Sequence, residues 1–328
     1  MFLESMRKIV EGKRTRIVYA DGSEERAIRA AAFLVENNLA KPILLGRKTE
    51  IKHLAQSLNI NISRINLCDP ESHPNLEKYA NDYYLLRKHK GITQAQALAK
   101  TKLPPYFGAL MVADGAADGM VSGLSSETKP FLPAFEIIKL KPQFKRASSV
   151  FVLEWPERLL FFADCAVNID PDAKALAEIA HATAQTVRLF GYEPRVAFLS
   201  FSTHGSGKGA LVDKVREASQ LAKQECPDVI IDGEVQFDTA LIPNVAKRKA
   251  PDSPFAEQGA NVFIFPDLNC GNIAYKISER LAKATATGPI LQGLNFPVND
   301  VSRSCSYEDL ANVAVLSAAQ ACLEKASV

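Results

Sequence analysis

Apolar and polar positions along this chain follow two spacings in turn. Short apolar runs bounded by Gly, Pro or Asp, such as RIVYADG (16–22) and KPILLG (41–46), give way to amphipathic stretches such as EERAIRAAAFLVENN (24–38). Runs of the first kind read as buried strands, and stretches of the second as helices packed across them. A long polar helical region then extends through Arg87, after which ALMVADG (109–115), SVFVLEW (149–155), RLLFFADC (158–165), RVAFLSFS (195–202), DVIIDG (228–233) and NVFIFPD (261–267) all read as buried strands. Strands alternating with crossover helices predict an α/β fold with parallel sheets. In DPDAKALAEIAHATAQTVRLFG (170–191), Pro171 at an early helical position and Gly191 at the end mark one well-bounded helix.

Ligands of open α/β sheets sit at the carboxyl ends of strands, where loops lead into helices. Polar or glycine-rich segments fall there: DGS (21–23), DGAADGMVSG (114–123), DCAVN (164–168), STHGSGKG (202–209) and PDLNCGN (266–272). The loop FSTHGSGKGA (201–210) has the look of a phosphate-wrapping turn. The nucleotide motif, however, needs a glycine where Ser202 stands and a hydroxyl for magnesium where Gly209 stands, which argues against a nucleoside triphosphatase. No GxGxxG follows the first strand, so a dinucleotide dehydrogenase is also disfavoured.

A length of 328 residues favours two domains. The basic, periodicity-free stretch KLKPQFKRASS (139–149) is the best boundary candidate. With 39 basic against 37 acidic side chains the chain has no positive excess for nucleic acid or anionic lipid, and small molecules become the expected partners. The opening MFLESMRKIV carries charges where a secretory signal needs an apolar core, and no run reaches membrane-spanning length, so a cytoplasmic location is expected. Six scattered cysteines without a CxxC pair or a histidine cluster predict reduced thiols and no metal site.

The segment VFIFPDLNCGNIAYKISERLAKATATGPILQGLNFPVNDVSRSCSYEDL (262–310), with DGEVQFDTALIPNVAKRKAPDSP (232–254) before it, resembles the phosphate acetyl/butaryl transferase family. The likeness extends to FADCAVNIDPDAKALAEIA (162–180), DGAADGMVSG and, more weakly, RKHKG (87–91), and so covers most of the chain. It implies two α/β domains with parallel or mostly parallel sheets flanked by helices and an active-site cleft between them, like isocitrate and isopropylmalate dehydrogenases. The first domain would comprise residues 1–140 plus 294–328, and the second, 141–293, would be inserted. A homodimer is implied as well. So is reversible acyl transfer between coenzyme A and phosphate, with no permanently bound cofactor and with coenzyme A, acetyl-CoA, phosphate and acetyl phosphate as substrates.

Such chemistry needs a deprotonated sulfur, a cation on the phosphate and a donor to the tetrahedral oxyanion. The resemblance gives these jobs to Asp309, Arg303 and Ser302. It makes Arg87, Thr128, Lys129, Cys165, Ser202, Gly205 and Ser206 substrate contacts, the loop at 202–206 offering N–H groups to an anion. The residues alone leave other readings open. Asp309 lies three residues after Ser306, the spacing of a helix capping box, and a carboxylate of pKa about 4 facing a thiol of about 8.5 is mismatched by roughly 6 kcal/mol unless burial raises it. Arg303 and Arg87 could be surface arginines, Ser302 a turn hydroxyl, Cys165 a semi-buried neighbour of the cleft rather than a nucleophile, and His204 an exposed residue without a carboxylate partner. Where the family usually has an arginine before Pro-Ala, this chain has Leu132, which should weaken the hold on phosphate unless Lys129 supplies the charge. A phosphate butyryltransferase and a catalytically silent acetyl-CoA-sensing module remain alternatives.

Overall fold

A computed structural model of the chain describes residues 2–125 and 132–326. Thr128 and Lys129 lie outside the described residues. The fold divides into two compact units, Met1–Lys139 with Leu294–Val328, and Leu140–Gly293.

The first unit is built on five parallel strands, numbered along the chain: β1 (Arg16–Tyr19), β2 (Lys41–Leu45), β3 (Asn66–Cys68), β4 (Gly119–Ser122) and, after the second unit has been traversed, β11 (Val298–Asp300). Their spatial order is β11-β4-β1-β2-β3. Ile17, Val18 and Tyr19 are buried, as a parallel strand covered on both faces requires. Helix Tyr307–Ala326 packs on β4 and β11 and against helices Phe2–Val10 and Glu25–Glu36. Its residues from Leu310 to Ala321 are mostly small and buried, which lets the helix approach the sheet closely. Asn299 of β11 donates to Ser317 Oγ (2.8 Å) and Gln320 Oε1 (2.9 Å) of that helix, fixing where β11 ends.

The second unit contains β5 (Ser148–Trp155), β6 (Arg158–Ala163), β7 (Arg195–Leu199), β8 (Ile230–Val235), β9 (Val262–Ile264) and β10 (Thr285–Gln292), in the order β10-β5-β6-β9-β7-β8. β6, β9, β7 and β8 run parallel, while β10–β5 and β5–β6 are antiparallel. Its core is aromatic: Phe162 meets Phe263 edge-on at 5.5 Å and Phe265 at 5.0 Å. No helix of the described residues is long and apolar enough to cross a membrane.

Four sequence expectations need correction. ALMVADG is the end of helix Pro104–Ala113, not a strand; with Tyr106 to Val112 all buried, an apolar run has no period by which a strand and a core helix could be told apart. The real strand, β4, lies inside the stretch read as loop, DGAADGMVSG. The polar region before Arg87 is two helices, Lys48–Ser57 and Leu76–Arg87, with the three-residue β3 between them. Pro171 precedes helix Ala173–Leu189 rather than entering it, because the N-cap is Asp172, whose side chain accepts from the Ala175 N–H at 2.7 Å.

Candidate active site

Three exits of the first unit's sheet meet at the carboxyl ends of β1, β4 and β11. Asp21, two residues past β1, turns its carboxylate onto the backbone after β4: Oδ2 accepts from the N–H groups of Gly123 (3.0 Å) and Leu124 (3.1 Å), and Oδ1 from the N–H of Ser125 (3.2 Å) and its hydroxyl. The Val301 N–H donates to the Ser122 carbonyl at 3.0 Å, tying the β11 exit to the β4 exit. Gly123 sits where they touch. Its φ is +119°, and a Cβ there would lie 2.3 Å from Asp300 Oδ1 and 2.5 Å from the Val301 carbonyl oxygen, so only glycine fits.

Past β11, the turn carrying Ser302 and Arg303 is held from behind. Arg26, near the start of helix Glu25–Glu36, donates through Nη1 to the Arg303 carbonyl (2.7 Å) and the Cys305 carbonyl (3.1 Å). The Cys305 N–H donates to the Ser302 carbonyl at 2.9 Å, closing the turn. Ser302, Arg303 and Asp309 are all exposed, and Arg303 forms no side-chain ion pair among the described residues. Ser302 Oγ lies 3.0 Å from Ser304 Oγ and accepts from the Ser304 N–H at 3.3 Å, so the turn held by Arg26 leaves an exposed Arg303 guanidinium beside a pair of hydroxyls, a grouping suited to a phosphate or an oxyanion.

Asp309 forms the capping box expected from spacing alone. Its Oδ2 accepts from the Ser306 N–H (3.0 Å) and hydroxyl (2.9 Å), while its own N–H donates to Ser306 Oγ (3.1 Å) at the start of helix Tyr307–Ala326. The Asp309 side chain is exposed rather than buried.

Arg87 ends helix Leu76–Arg87 and pairs through Nη2 with Glu136 Oε1 at 3.0 Å. Glu136 also accepts from the Tyr83 hydroxyl (2.6 Å) and lies 3.6 Å from Lys100 Nζ, and it belongs to the short helix Leu132–Ile137. Burial foremost, with the Glu136 contact adding to it, pushes the Tyr83 hydroxyl well above its usual pKa. Leu132, half-exposed, begins the same short helix, so the apolar substitution stands one turn from the carboxylate that holds Arg87. No hydrogen bond or ion pair joins Arg87 to Ser302, Arg303 or Asp309 among the described residues.

In the second unit, the 202–206 loop after β7 has its N–H groups already occupied. Gly205 N–H donates to Glu234 Oε1 (2.7 Å), His204 N–H to the Glu234 carbonyl (3.1 Å), Thr203 N–H to Ser206 Oγ (2.9 Å) and Gly207 N–H to Ser202 Oγ (2.8 Å). The anion this loop wraps is therefore the protein's own Glu234, which also receives Ser202 Oγ (3.1 Å) and Arg216 Nε (3.0 Å). Burial pushes the Glu234 carboxyl up, but the Arg216, Gly205 and Ser202 hydrogen bonds together outweigh it and hold it below the usual range. Ser202 is fully buried and its hydroxyl is committed, so the predicted substrate contact has no surface to offer. Cys165 is likewise fully buried rather than semi-buried, its thiol donating to the Phe162 carbonyl (3.5 Å); burial, with Asp164 beside it, pushes that thiol far above the usual range. His204 has the carboxylate partner not expected of it, Asp232 of β8, at 3.0 Å. What stays open near this loop is a depression of about 510 Å³ lined by Lys208, Arg216, His204, Asp213 and loop glycines.

Asp21, Arg26, Gly123, Glu136 and Asp300 were not singled out from sequence. The available signal was an aspartate closing an apolar run, in YAD, FAD and VND, where a carboxylate at a strand end can collect the amides of a neighbouring loop.

Residues 1–318 match the family model described as phosphate acetyl/butaryl transferase. The chain is 47% identical over 327 residues to the phosphate acetyltransferase of Thermoanaerobacterium thermosaccharolyticum, covering 97% of this chain and 99% of that one. Over 313 residues it is 45% identical to the phosphate acetyltransferase of Bacillus subtilis, covering 95% and 96%. A solved phosphotransacetylase from Streptococcus pyogenes superposes with a TM-score of 0.92 at 45% identity over 98% of both chains.

Proposed function

The chain belongs to the phosphate acetyl/butaryl transferase family, and from that premise we propose that it catalyses acetyl-CoA plus phosphate giving acetyl phosphate plus coenzyme A, reversibly. The observation that carries this reading is the full-length identity to phosphate acetyltransferases, joined to an exposed Ser302–Arg303 pair at the carboxyl edge of the first sheet. In the direction of thioester synthesis, the coenzyme A sulfur loses its proton to Asp309 and attacks the acetyl carbonyl. Ser302 donates to the oxyanion of the tetrahedral intermediate, and Arg303 holds two phosphate oxygens through its planar fork. Collapse breaks the carbon–oxygen bond, and phosphate leaves with the electron pair. Arg87, positioned by Glu136, supplies a further cation to coenzyme A or phosphate.

Asp309 is the weakest member of this set, since it already caps a helix and is exposed. Asp309→Asn decides its role: a base lost lowers kcat by about 10²–10⁴-fold, whereas a cap lost costs only about 1 kcal/mol of stability. The reading as a whole is tested by thiol release from acetyl-CoA with and without phosphate. Phosphate-dependent release supports it. Saturable acetyl-CoA binding with no release favours a silent sensing module, the reading that Leu132 keeps open, and faster turnover of butyryl-CoA favours a butyryltransferase. The same reading takes the working form as a cytoplasmic homodimer, checked by light scattering and by fractionation of the producing cell.

A further inference from the structure

Asp300, the last residue of β11, is 6% exposed and lies two positions before Ser302. Among the described residues its Oδ1 is buried without a hydrogen-bond partner, and no Lys, Arg or His forms an ion pair with it. The other interactions of the carboxyl are with the Val301 N–H and the Ser122 hydroxyl. Among the described residues, the titratable groups facing it are Asp21 from the β1 exit and the Cys305 thiol from the turn before the last helix, neither of which offers a positive charge. An ionised carboxylate in such a place would face heavy desolvation and a second negative charge at once. Burial, with Asp21 beside it, accordingly holds the Asp300 carboxyl well above the usual carboxylate range. Two carboxyls at one sheet edge are thereby divided by their partners: Asp21 accepts from three backbone N–H groups, whereas Asp300 Oδ1 accepts from none among the described residues. Asp300 Oδ1 and the Val301 carbonyl oxygen converge on the same point beside Gly123, at 2.3 and 2.5 Å from where its Cβ would be. A buried carboxylate oxygen that no donor reaches is costly, whereas a protonated Oδ1 can itself donate to an oxygen beside it.

Resting on the transfer reaction proposed above, we infer that Asp300 is a positioning residue: a neutral hydrogen-bonding wedge between the β4 and β11 exits that steadies the Val301 peptide and so aims Ser302 and Arg303. A proton at Asp300 Oδ1 is directed toward the Val301 carbonyl, which fixes the peptide plane leading into Ser302. Asparagine can imitate this wedge, because its amide N–H₂ donates as the protonated acid does; alanine cannot.

The test compares Asp300→Asn and Asp300→Ala in the full chain, by kinetics with acetyl-CoA and phosphate and by melting temperature between pH 4.5 and 8. Asp300→Asn should keep kcat within about threefold of the parent, while Asp300→Ala should lose about 100-fold or more in kcat with little change in KM for acetyl-CoA. The melting arm does not depend on activity. A carboxyl whose folded pKa is raised loses stability as pH climbs from its unfolded value of about 4 toward the folded one, so the advantage of Asp300→Asn in melting temperature should widen from pH 4.5 to 8. An Asn variant as impaired as the Ala variant in an active parent, or a melting gap that stays flat or narrows over that range, overturns the inference. A parent with no phosphate-dependent transfer would overturn the proposed function instead and leave the melting arm standing.

Discussion

Two strand exits, one in each unit, begin from similar chemistry and end in opposite states. After β7, the loop Ser202–Gly209 is rich in glycine and hydroxyls and carries a lysine, yet its N–H groups close on Glu234 and on its own hydroxyls. After β11, the turn Ser302–Cys305 has no glycine at all, but the Arg303 and Cys305 carbonyls are gripped from behind by Arg26, and the Ser302, Arg303 and Ser304 side chains are exposed, the two hydroxyls 3.0 Å apart. The lesson is that a glycine-rich loop is an anion site only where no internal carboxylate has filled it first. Conversely, an ordinary-looking turn becomes a polar platform when a neighbour takes up its carbonyls.

The contrast can be broken most directly by charge removal at each exit. Arg303→Ala should lower kcat/KM for phosphate-dependent transfer by about 10³-fold, roughly 4 kcal/mol of lost charge-assisted contact, while Lys208→Ala should change it less than about threefold; equal losses would erase the distinction. Next in size is Glu234→Ala. It removes the acceptor of the Gly205 N–H and Ser202 hydroxyl and should cost about 3 kcal/mol at pH 7, seen as a lower melting temperature of the second unit; the half-exposed Arg216 pair contributes little of this. Because the folded pKa of Glu234 is depressed, its stabilisation is present above the unfolded pKa of about 4.3 and is lost as pH falls through the lower folded value. The gap between parent and variant should therefore shrink below about pH 4, and a gap constant down to pH 3 would contradict the assignment. At the first unit, Gly123→Ala should destabilise by about 2 kcal/mol through strain and the clash with Asp300, with kcat falling as the β11 exit shifts. The smallest effect is expected from Ser306→Ala, about 1 kcal/mol from the lost capping box, measured by denaturant melting.

Elements were legible where period and composition agreed. RIVYADG and KPILLG supply adjacent parallel strands buried beyond their first residue, and EERAIRAAAFLVENN is a helix, because their apolar residues fit one geometry each. ALMVADG failed because a helix buried all round has no polar face to reveal its turn, and GMVS was hidden because four residues are too few to carry a period. Of the candidate site, Ser302, Arg303 and Asp309 came from extended motif likeness, and the Asp309 capping box from spacing alone. Arg26 and Glu136 were out of reach, since each acts on a partner brought near only by the fold: Arg26 on carbonyls 277 and 279 positions away, Glu136 on an arginine 49 positions away.

The amino-acid order by itself settled what local chemistry settles: where apolar runs become strands, where Ser306 and Asp309 cap a helix, and to which family the motifs point. Only the tertiary structure decided which polar groups are spent and which remain. Hydrogen-bond satisfaction and carboxyl charge depend on burial and on neighbours distant in sequence, so Ser202 and Arg303, both plausible ligands on paper, end one sealed against Glu234 and the other exposed.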